Sequence, residues 1–122
     1  MNHFTANIIR LAARYPDLAA SLKAARGEVL TIESARNGMP SARRDGRWIH
    51  SAYDPLREAE TWADSHARAC HEGETVVVSG VGLLYHVEAI RKKLSPDIAV
   101  AVVISNIDEF HDALSARQLE SW

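Results

Sequence analysis

With 122 residues, 47% hydrophobic and 25% charged, the chain has the size of one soluble globular domain with a real core, short for a complete doubly wound nucleotide-binding fold. A formal net charge of -2 excludes a whole-molecule field that would recruit nucleic acid or an anionic membrane surface. No run reaches the roughly 18 apolar residues of a membrane span, so membrane insertion is not expected. The lone Cys70 can form neither an internal disulfide nor a thiolate cluster, and with no signal-peptide pattern at the amino terminus a reducing cytoplasm is expected.

Residues 5–26 read as helix in two pieces: Ile8, Leu11 and Tyr15 form one stripe, Pro16 opens a second piece, and Leu18, Leu22 and Ala25 continue it to Gly27. Glu28 to Glu33 predicts a strand, and Arg47 to His50 a second one, after a long connection with the turn dipeptides Asn37-Gly38 and Asp45-Gly46. An antiparallel ribbon with a loose tip follows from these. Asp54-Pro55 supplies a cap and a first-turn proline for a helix whose apolar face runs through Leu56, Ala59, Trp62 or Ala63 and Cys70 to Gly73. Thr75 to Val78 predicts a strand, Ser79-Gly80-Val81-Gly82 a turn, and Leu83, Val87, Ile90 and Leu94 one face of a helix. Ile98 to Ile104 is the most apolar run and predicts a strand covered on both faces. Asn106 with Glu109 resembles a capping box before a last helix marked by Ile107, Phe110 and Leu114.

The fold class that results is α/β: a two-stranded parallel β-α-β core, an antiparallel ribbon and an N-terminal helical segment (residues 1–27) ahead of the α/β domain (residues 28–122), in one compact unit. Two parallel strands leave a hydrophobic edge that needs a cover, which predicts a homo-oligomer or a neighbouring domain.

A turn between a parallel strand and a helix presents free backbone N–H groups, so Gly80 and Gly82 are candidates to cradle a phosphate or a carboxylate. Tyr85 and His86 lie at the start of the same helix, and Tyr53, Asp54, Ser105 and Asp108 complete the candidate ligand-binding set. Capping alone accounts for Asp54. His50, Ser51 and Asp54 are adjacent on an extended segment and do not form a triad by spacing. His66, Cys70 and His71 lack the further ligands that zinc requires, so no metal is expected. Arg43, Arg44 and Arg47 read as a solvated turn, and Trp48, Trp62 and Trp122 as packing anchors.

Three stretches, Glu33 to Pro40 (ESARNGMP), Ile49 to Ala59 (IHSAYDPLREA) and Val78 to His86 (VSGVGLLYH), together resemble the amino-terminal region of the motility accessory factor (Maf) flagellin glycosyltransferases and of their 6-hydroxymethylpterin diphosphokinase-like relatives. The resemblance covers about residues 28–120. It implies a Rossmann-like domain placed before a separate catalytic domain, which carries the family's sugar or pterin transfer and has no counterpart in 122 residues. Where the family pattern looks like Gly-x-Gly-x-Gly-Tyr-His, the third glycine position is Leu84, and where an acidic residue usually follows the apolar strand there is Ser105. Both departures argue against a nucleotide in the crevice. The expectation is a non-catalytic or accessory domain, related to flagellin glycosylation, that self-associates or docks to a partner, with no catalytic residues and no cofactor. The alternative is a small-ligand domain or enzyme holding S-adenosylmethionine or a nucleotide sugar at the Gly80–Gly82 turn.

Overall fold

In the computed structural model, which describes residues 1–120, the chain runs α1 (His3–Ala12), α2 (Pro16–Ala24), β1 (Thr31–Ser34), β2 (Pro40–Arg44), β3 (Arg47–Trp48), α3 (Pro55–Ala67), β4 (Thr75–Val78), α4 (Tyr85–Lys93), β5 (Ala99–Val102) and α5 (Ile107–Ala116). The expectation for Trp122 lies outside the described residues. The small α/β unit read from the sequence is what forms: β4 and β5 pair in parallel from Thr75↔Ala99 to Val78↔Val102, with α4 between them in the chain. No helix among the described residues is long and apolar enough to cross a membrane.

The amino-terminal helices pack on α5. Asn2 caps α1 by accepting from the Thr5 amide, and Pro16 starts α2. Ile8, Leu11, Ala19 and Leu22 face inward, while the fully buried Asn7 closes the far end of α5. Its carboxamide nitrogen donates to the carbonyls of Leu114 and Arg117, both at 2.9 Å, and its oxygen accepts from Leu119 N–H at 3.0 Å. A buried amide satisfied on both sides fixes geometry as well as adding stability.

The ribbon differs from the sequence reading. It is a three-stranded meander, β1-β2-β3, in which β2 occupies what was expected to be a loose connection. Each turn dipeptide closes its own hairpin: Asp45 and Gly46 both take positive φ (52° and 78°), the backbone of a two-residue hairpin turn, and Gly38 (87°) closes the other. The strand between them, Pro-Ser-Ala-Arg-Arg, is too polar to show an apolar period, yet Ser41 and Ala42 are fully buried. The first strand begins at Thr31 and not at Glu28, because the amides of residues 26–30 are taken by side chains of α5, described below.

Two further corrections concern element ends. The helix expected to reach Gly73 stops at Ala67; Ala69 and Cys70 donate to carbonyls three residues back, an unwinding turn that leaves Cys70 outside α3. The run Ile98 to Ile104 is not covered on both faces. Side chains alternate, so Thr75, Val77, Ala99, Ala101 and Val103 share one face of the parallel sheet, and all five are exposed, Val77 at 62% and Val103 at 47%. The opposite face carries Val76, Val78 and Val100 toward α4 and the core.

Candidate functional site

The turn after β4 is built from alternating left-handed residues: Gly80 has φ 65°, Gly82 52° and Leu84 68°. Leu84 therefore keeps the backbone that glycine adopts freely, and its side chain turns into the core at 4% exposure. A left-handed leucine costs about 1–2 kcal/mol, set against the burial of a large apolar side chain, which is worth a similar or larger amount.

His50 explains why Gly82 is glycine. Its Nε2 accepts from Leu83 N–H at 2.9 Å, and a Cβ on Gly82 would stand 2.5 Å from that nitrogen. Nε2 being the acceptor, the ring proton sits on Nδ1, which has no hydrogen-bond partner among the described residues; Glu58 Oε1 is 4.0 Å away and itself accepts from Ser51 N–H. Burial lowers the His50 pKa from 6.5 to about 4, with the nearby His86, Arg117 and Arg44 adding in the same direction. The His50–Glu58 contact is thus a neutral imidazole beside an exposed carboxylate.

A stability profile follows. Above pH 6.5 His50 is neutral folded or unfolded, and its contribution is fully present; as pH falls from 6.5 toward 4 the unfolded chain gains a proton that the folded chain refuses, so stability is lost across that window. The expected loss is about 3 kcal/mol, and urea melts across pH 7 to 4 should show His50→Gln flattening most of it. His86, also lowered by burial, supplies a smaller slope of the same sign.

The crevice beside the turn is lined by Gly80, Val81, Gly82, Ser105, Arg44 and Glu109 among others, and is small, about 30 Å³. Arg44 and Glu109 close it as a two-point guanidinium–carboxylate pair, so this arginine is turned onto α5 and is not a solvated hairpin tip. Of the residues predicted from sequence, the crevice brings together Gly80, Gly82 and Ser105. The others lie elsewhere. Tyr85 is buried, with its hydroxyl donating to Pro40 O at 2.6 Å and its ring under Arg117. His86 stacks on His50 and meets the edge of Trp62. Tyr53 is 64% exposed, and Asp54 caps α3 by accepting from Arg57 N–H.

Asp108 faces the other way. Its Oδ1 accepts from the amides of Arg26 and Gly27 at 2.8 and 3.2 Å, which holds its carboxyl below the ordinary carboxylate range. One turn on, Asp112 takes Glu28 N–H on Oδ1 and both Val29 and Leu30 N–H on Oδ2, at 2.6 to 2.8 Å. Five successive amides are thus spent on two side chains of α5. Asn106 caps that helix through the amides of Asp108 and Glu109, but Glu109 is committed to Arg44, so only half of a capping box forms.

Sequence reasoning missed His50, Asp112 and the Arg44–Glu109 pair, each set by a partner at least 33 residues away. Among the described residues no group of three or more His, Cys, Asp or Glu is placed to hold a metal ion.

No protein-family profile and no curated protein sequence matches the chain. Among solved structures it is similar to a Maf glycosyltransferase from Magnetospirillum magneticum AMB-1, with a TM-score of 0.70 at 16% identity. The match covers 94% of this chain and 24% of the glycosyltransferase, so the chain spans about a quarter of the length of the protein it resembles. At that identity the likeness is one of fold, and it agrees with the family resemblance carried by the three sequence stretches.

Proposed function

We propose that this chain is a non-catalytic, accessory α/β domain of a Maf-like glycosylation system, acting in the cytoplasm by docking to a second copy or to another domain. The observation that carries the reading is the bare face of the β4–β5 sheet, where Thr75, Val77, Ala99, Ala101 and Val103 stand in solvent. Parallel sheets are ordinarily buried on both faces, so an open face of this composition is a surface awaiting a partner. The glycine crevice supports the same reading from the other side. It is small, about 30 Å³, His50 has taken the Leu83 amide, and Asp108 is engaged by a loop.

Thermal unfolding with S-adenosylmethionine and with nucleotide sugars tests this directly. No shift is expected. A ligand that bound at 100 times its Kd would add about 2.7 kcal/mol and raise Tm by several degrees. Such a shift, with amide resonances of Gly80 and Gly82 moving alongside it, would replace docking with ligand binding.

A further inference from the structure

Resting on the docking reading, we infer that the occupant of the open sheet edge is a second copy of the chain, paired antiparallel through β5 about a two-fold axis at Ala101. The parallel ladder sets which groups point outward. Val103 N–H donates to Val78 O at 2.9 Å, so the odd-numbered residues of β5 turn their backbone to β4. The N–H and C=O of Val100 and Val102 then point to the free edge, where β5 has no neighbouring strand among the described residues. No described residue hydrogen-bonds to them.

The sequence of this edge is suited to pairing with itself. Residues 98–104 read Ile-Ala-Val-Ala-Val-Val-Ile, close to a palindrome about Ala101. An antiparallel pair centred there sets Val100 against the partner's Val102 and Ala99 against the partner's Val103, with Ala101 meeting its own copy, while Ile98 stays in its own chain, bonded to Ser95 and Arg91. The outward-pointing residues 100 and 102 fall in the hydrogen-bonded positions of an antiparallel ladder, and Ala101 in the closely spaced, non-bonded one, where a small side chain fits. Every pair keeps its two side chains on one face, so the bare faces of the two copies join into one four-stranded surface. None of the devices that protect an edge, a lysine, a proline or an inward charge, occurs between residues 98 and 104. A groove of about 640 Å³ also borders β5, lined by Val100, Val102 and Ile104 together with Leu11 and Leu18 of the helical hairpin and Val87 of α4. A two-fold pairing is closed, and consumes the β5 edge on both copies.

Sedimentation velocity over a concentration series tests the inference. The wild-type chain should move from monomer to dimer, and Val102→Pro should stay monomeric, because proline removes an outward donor while the amide it replaces is not used by β4. Equal dimerisation of Val102→Pro and wild type would overturn edge pairing; if Val77→Lys were then monomeric, self-association would lie on the sheet face and the docking reading would survive. A wild-type chain monomeric across the series would also overturn the inference, leaving docking to a different partner to stand on the ligand experiment. If Val102→Pro does not fold, amide exchange in the wild type decides: protection of Val100 and Val102 that rises with protein concentration supports the pairing, and protection independent of concentration refutes it.

Discussion

Asp112→Ala is expected to destabilise the fold by about 4 kcal/mol, read as a lower urea midpoint at unchanged slope. One carboxylate at 8% exposure accepts the amides of Glu28, Val29 and Leu30, and the Leu30 amide is buried. Alanine leaves the buried Leu30 amide without an acceptor, at about 1–3 kcal/mol, and strips the part-buried Glu28 and Val29 amides of theirs. Glu28 would suffer further, since its positive φ of 62° is held in place by this contact. Asparagine should not rescue: it offers one oxygen where two are used, and its amide hydrogens would face N–H groups. A loss below about 1 kcal/mol for Asp112→Ala would show that the loop finds other acceptors and that the carboxylate is not what organises it.

The second large effect is a contrast between neighbouring glycines. Gly82→Ala is expected to cost about 3 kcal/mol or more, and Gly80→Ala only about 1 kcal/mol. Both residues have positive φ, so both alanines incur the left-handed penalty. The difference is the surroundings. Among the described residues a Cβ at Gly80 meets nothing within 4 Å, whereas one at Gly82 lies 2.5 Å from His50 Nε2 and 3.1 Å from Ile49 Cδ1. The imidazole cannot retreat without losing the Leu83 amide, and with it the start of α4. Chemical denaturation of the two variants, with the His50 ring nitrogens followed by NMR, checks both the energies and the cause. Equal losses would mean that the turn is limited by backbone strain alone.

What the sequence made legible was whatever depends on near neighbours. Pro16 and Pro55 mark helix starts, Asp45-Gly46 marks a hairpin, and β4, the glycine turn and α4 follow from a change of apolar period within about twenty residues. The middle ribbon strand was hidden because its burial comes from Ser41 and Ala42, small residues with no hydrophobic signature, packed by chain far downstream. For the same reason Asp108 read as a pocket acid: its carboxylate is positioned by helix α5 but its partners, Arg26 and Gly27, are more than eighty residues earlier. His50 shows the limit most clearly. Spacing argues against its joining Ser51 and Asp54, and in the fold Ser51 Oγ accepts the amides of Tyr53 and Asp54. Nothing local says that its ring will reach across to the glycine turn. The apolar run at Ile98 to Ile104 misled in the opposite sense, because apolar composition alone does not say whether one face of a strand or both are covered, and here one face is exposed.

The amide of Asn7 carries a kinetic meaning. Its three partners lie 107 to 112 positions away, and Arg10 reaches the carbonyls of Leu119 and Glu120 over a similar span. Contacts that close so long a loop form late, because nearly the whole chain must be in place before they repay its entropy. Helix α1 is therefore among the last elements of this unit to dock. Until it does, the stripe of Ile8, Leu11 and Leu22 stays open to water, and the interval between synthesis and docking is when this chain is most exposed to misassembly.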